Sequence, residues 1–122
     1  MIVSVYNRTR GCPVSVRVAV AKTAFARLVG LLGKARNWAE SGMGLWIVPS
    51  QGVHTFGMSF PIDVVFLDGA RRVMCIQERL RPFRISRLHL SAHSVLELAP
   101  GTVEKSRTQP GDELEITPQK SA

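Results

Sequence analysis

Pro13-Val14-Ser15-Val16-Arg17-Val18-Ala19-Val20-Ala21 sets a valine at every second position, with small or charged residues between. Successive side chains of a strand point to opposite faces, so a period of two is the signature of a half-buried strand. Four β-branched residues in that pattern suit a pleated surface and lose rotamer freedom in a helix. The expectation is a strand over 13–21 with its valines buried and Ser15 and Arg17 in water.

Upstream, Met1 to Tyr6 can form a first strand that pairs with it. Downstream the period changes. Thr23 can cap a helix beginning at Ala24, and Phe25, Leu28, Val29 and Leu32 recur at helical spacing, with Gly33 placed to end it. From Gly44 the chain reads as extended again. Gly44–Val48, Val53–Met58, Ile62–Leu67, Arg72–Leu80, Ser94–Leu98 and Glu113–Thr117 are the candidate strands. Asp68-Gly69 makes a hairpin of the middle pair, Pro100-Gly101 breaks the chain, and Pro110-Gly111-Asp112 turns it into the last strand. Leu114 and Ile116 should face inward there, Glu113 and Glu115 outward. Residues 81–93 read as an Arg- and Ser-rich connection with one helical turn. The sum is a mainly β (α+β) fold, a compact β-barrel or two-sheet sandwich with one packed short helix.

At 122 residues the chain has the length of a single domain, taken as residues 1–117 with a flexible tail at 118–122. The net charge is +7, carried in blocks: residues 1–36 hold seven bases and no acid, and residues 71–87 hold six arginines against Glu78. Such a field attracts polyanions without choosing among them. Two cysteines, Cys12 and Cys75, do not suggest a disulfide framework, and Cys75 reads as a small buried hydrophobe. No long apolar run follows a basic start, and no stretch approaches the roughly 20 apolar residues of a membrane span. The expected location is the cytoplasm.

The string Val53-His54-Thr55-Phe56-Gly57-Met58-Ser59-Phe60-Pro61-Ile62-Asp63-Val64-Val65-Phe66-Leu67-Asp68 resembles the central motif of the domain of unknown function 192 family. Val95-Leu96-Glu97-Leu98-Ala99-Pro100-Gly101, Pro110-Gly111-Asp112 and Arg27-Leu28-Val29-Gly30-Leu31-Leu32 extend the resemblance over roughly Thr23 to Ile116. It implies a single β-rich domain of about this length and no particular reaction. Many members carry tryptophan, methionine, lysine and asparagine in succession in the central motif. Here the stretch is Phe56-Gly57-Met58-Ser59-Phe60, without the lysine and the asparagine.

The central segment is the first candidate site. His54, Thr55, Met58 and Asp63 fall within ten residues, and Trp46 with the helix stripe would wall a pocket beside them. A histidine and a carboxylate within reach of each other can move a proton. The bland reading has Asp63 bonded to backbone amides and His54 a structural histidine. The second candidate is a polyanion-binding set, Arg71, Arg72, Arg79, Arg81, Arg84 and Arg87, which carries only Phe83 as an interleaved aromatic. Glu97, between Leu96 and Leu98, is either solvated or a buried carboxylate, which would pair with an arginine or have a raised pKa. His89 and His93 are two ligands where zinc needs three or four, so no metal and no cofactor is predicted. The leading expectation is a small-ligand or peptide binding module. Next come a basic interaction protein that binds an acidic partner or nucleic acid weakly and in a salt-sensitive way, and a metal-dependent or acid–base enzyme.

Overall fold

A computed structural model describes residues 1–22, 44–55 and 60–119. Among them seven strands form one sheet: β1 (Ile2–Asn7), β2 (Cys12–Ala21), β3 (Gly44–Ile47), β4 (Ile62–Leu67), β5 (Val73–Leu80), β6 (Ser94–Leu98) and β7 (Leu114–Pro118). The order across the sheet is β5-β4-β6-β3-β2-β1-β7. Every pairing is antiparallel except β2 with β3, which is parallel and therefore needs a crossover. The predicted helix over 24–32 and the loop over 33–43 lie outside the described residues.

The sheet curls into a half-barrel. Its two edge strands meet at one end, where Arg72 bridges Glu113 and the Val73 N–H donates to the Asp112 carbonyl at 2.8 Å. All seven strands share this one sheet, so the barrel reading holds and the two-sheet sandwich does not. The interior cluster takes residues from every strand, among them Val5, Val18, Trp46, Val65, Leu96 and Leu114. A second cluster covers the outer face of the central strands with Ala21, Leu45, Ile47, Val64, Phe66 and Val95. All six residues of β4 and all five of β6 are consequently buried, and such strands read as continuous apolar runs rather than alternating ones.

The valine stretch forms its strand, but its faces are not those expected. Val18 is fully buried, Val16 is 63% exposed, and Ala19 and Ala21 are buried on the opposite side. The cause is the register with β1. Val3 pairs with Val18 and Val5 with Ser15, so β2 has one residue more than its partner across that interval. A bulge turns the strand over, and Val16 passes to the outside. The outer cluster then buries the alanines that alternation had assigned to water.

Three further expectations are corrected. Val53–Met58 is not a strand over its described part; it makes one isolated bridge, His54 with Ile85. Residues 81–93 contain no helical turn. A short helix instead follows the Pro100-Gly101 break, α1 (Thr102–Ser106), entered through Gly101 at φ 88°. Pro118, assigned in the sequence to a flexible tail, belongs to β7, and the Gln119 N–H donates to the Ile2 carbonyl at 3.0 Å; residues 120–122 lie outside the described residues.

The turn into β7 is held by Asp112. Its Oδ2 accepts from Asn7 Nδ2 at 3.0 Å, Arg10 Nε at 3.1 Å and the Gln109 N–H at 2.9 Å. Burial works to raise this carboxyl, but the bonds from Asn7, Arg10 and Gln109 outweigh it and hold the pKa below the ordinary value. A depressed carboxyl contributes stability above its unfolded pKa, near 3.9, and that contribution is lost as pH falls through the folded value. Asp112→Ala leaves three donors without an acceptor and should cost roughly 2–4 kcal/mol at neutral pH. Urea titrations at pH 7 and pH 3 should show the difference from wild type narrowing in acid; an equal difference at both would rule out the ionised carboxylate as its source.

Candidate functional site

Two irregular segments lie across the described structure beside the outer cluster, and they zip together. The Ser50 N–H donates to the His93 carbonyl at 3.1 Å and the His89 N–H to the Gln51 carbonyl at 2.8 Å. Ser86 Oγ accepts from the Val53 N–H at 2.9 Å, and the Thr55 N–H donates to the Arg84 carbonyl at 2.8 Å. Loops must satisfy their backbone groups when partly buried, and here each loop does so with the other.

Thr55 fixes the tightest part of this zip. It is fully buried, its Oγ1 donates to the Arg81 carbonyl at 2.6 Å, and it accepts the Arg84 N–H at 2.8 Å. Phe83 sits within that turn at φ 60°. The hydroxyl thus holds the 81–84 backbone, and both its donor and an acceptor lone pair are used there rather than on a ligand.

Between the two segments lies a cavity of about 790 Å³. Its wall is mostly apolar, with Val53, Ile85, Leu88 and Ala92, and carries His54 and His93 as polar groups. Both histidines come from the loops, and His54 is positioned by its bridge to Ile85. His89 lies elsewhere, its ring centroid 6.0 Å from that of Phe66. No group of three His, Cys, Asp or Glu side chains that could hold a metal occurs among the described residues.

Of the residues singled out in the sequence, His54 lines the cavity and Asp63, Trp46 and Thr55 do not. Asp63 is opposite Leu98, so its side chain faces the barrel interior. Its Oδ1 accepts the Arg79 N–H at 3.0 Å and its Oδ2 the Val103 N–H at 3.0 Å, which ties the end of β5 to α1. Asp63 and His54 are therefore not an acid–base pair; the sheet separates them. Trp46 also faces inward, and the Arg71 guanidinium covers it at 5.1 Å from the ring centroid. Met58 lies outside the described residues.

The six arginines do not form one contiguous face. Arg71 Nη1 donates to the Ile116 carbonyl at 2.9 Å, Arg72 pairs with Glu113 at 2.9 Å, and Arg79 pairs with Glu104 at 3.3 Å. These three knit the half-barrel's own edges and its helix. Arg81, Arg84 and Arg87 belong to the cavity-forming loop. What sequence reading missed is the wall from Ile85 to His93, taken for a connection. Its signal was present in the interleaving of Ile85, Leu88 and Leu90 with arginines, but that pattern also describes an ordinary solvated loop.

Glu97 takes the buried one of its two expected places. It pairs with Leu45 on one side and Val64 on the other, so its side chain lies among the outer cluster. It is 1% exposed, and Oε1 has no hydrogen-bond partner among the described residues. The expected arginine partner is absent among them. Burial pushes its pKa up to about 8, so near pH 7 it is mostly a neutral acid, able to donate a hydrogen bond.

A model of the DUF192 family, described as "Uncharacterized ACR", matches residues 5–116. The chain belongs to the DUF192 family. A UPF0127 protein of Thermococcus sibiricus is 32% identical over 124 residues, covering 95% of this chain and 77% of the relative. Among solved structures, a protein of unknown function from Novosphingobium aromaticivorans superposes with TM-score 0.75 at 24% identity, over 94% of this chain and 84% of that one. A Sinorhizobium meliloti protein, named provisionally as a transcription regulator, gives TM-score 0.73 at 23% identity over 94% and 92%. At these identities the two structures speak for the half-barrel alone. The chain is thus a small domain whose family is uncharacterised, and no helix among the described residues is long and apolar enough to cross a membrane.

Proposed function

We propose that this DUF192 domain is a binding module for a small ligand, held in the cavity between residues 49–54 and 85–93. The observation that carries this is the cavity itself. At about 790 Å³ it falls in the roughly 300–1,000 Å³ range of ligand pockets, with a mostly apolar wall and a few polar groups to orient an occupant. The half-barrel supplies a rigid floor, and the zipped loops supply the rim.

The other readings have less behind them. Acid–base chemistry by His54 with Asp63 lacks the required approach of the two groups. A polyanion surface loses Arg71, Arg72 and Arg79 to partners in the same chain. The Sinorhizobium protein's name would favour nucleic acid, but no aromatic stacking platform or groove-reading helix is found among the described residues to support that here.

A thermal-shift screen with metabolites tests the proposal, since a ligand of the native state raises the midpoint by mass action. Ile85 is 72% exposed at the lip, so Ile85→Trp can fill the opening without disturbing the core. At least one compound should raise the midpoint of wild type, and Ile85→Trp should cancel that rise while its own unliganded midpoint stays within about 2 °C of wild type. Hits that stabilise both proteins equally would place the ligand elsewhere.

A further inference from the structure

We draw no further inference here: the strongest candidate, the exposed apolar patch of Ile85, Leu88 and Leu90 along the loop that walls the cavity, carries none because nothing in the structure shows what covers it.

Discussion

Raising the pH from 5 to 9 should destabilise the wild-type domain by several kcal/mol, and Glu97→Gln should remove most of that loss. Glu97 is buried among Leu45, Val64 and the rest of the outer cluster, and burial lifts its pKa from an ordinary 4.5 to about 8. A carboxyl raised on folding keeps its proton in the native state and loses it in the unfolded chain between those two values. The unfolded state then binds fewer protons, so stability falls as pH rises through that window. It is fully present below about pH 4.5 and levels off above about pH 8. At about 1.36 kcal/mol per pH unit, the full interval amounts to roughly 4–5 kcal/mol.

Glutamine has the same shape and no charge at any of these values. It leaves a buried amide whose donors need partners, so Glu97→Gln should be somewhat less stable than wild type near pH 5. The two proteins should then cross, and by pH 9 the variant should be the more stable. For a domain of this size 1 kcal/mol moves the midpoint by about 3–6 °C, so the crossing is readily seen in melting curves taken at half-unit pH intervals. Parallel pH profiles for the two proteins would show that Glu97 is not the group responsible. The same result would mean that it reaches water or a cation in solution.

Asp63→Ala should cost roughly 3–5 kcal/mol, the largest loss expected of a side chain outside the apolar core. Both carboxylate oxygens accept backbone amides, those of Arg79 and Val103, from segments far apart in sequence. Removal leaves two N–H groups without an acceptor. It also frees Arg79 from φ 52°, a conformation rare for side chains of its kind, and the strain relieved there offsets a part of the loss. Asp63→Asn keeps an acceptor oxygen for one of the two amides and should recover about half of the loss. Urea denaturation of the three proteins measures this. If Asp63→Ala proves as stable as wild type, the tie between β5 and α1 carries no weight in the fold. A ligand that binds at the cavity should keep its affinity in Asp63→Asn, since the sheet lies between them.

Asp63 also illustrates what could be read in advance. That it was a chemically special carboxylate in an apolar run was visible; which groups it faces was not, because β4 is buried on both faces and its sequence carries no alternation to orient it. The alternating valines of β2 show the converse. Their period identified a strand correctly, yet a single extra residue opposite β1 reversed the assignment of Val16 and of the alanines. His54 was recognised as a candidate and lines the cavity, but the opposite wall from Ile85 to His93 looked like a connection. It becomes a wall only through hydrogen bonds to residues some thirty to forty positions earlier.

From the residues alone followed most of the extended segments, the turns that separate them and the basic balance. Local chemistry determines these: β-branching, the period of two, and Gly, Pro and Asp at the corners act over a few neighbouring residues. The tertiary structure alone decided the curl into one half-barrel, the burial of Glu97 without a partner among the described residues, the inward turn of Asp63 and Trp46, and the cavity between the loops. Each depends on which distant segments come to share a face, and the hydrophobic effect that gathers them is proportional to buried area and indifferent to direction, so it leaves no local mark in the chain.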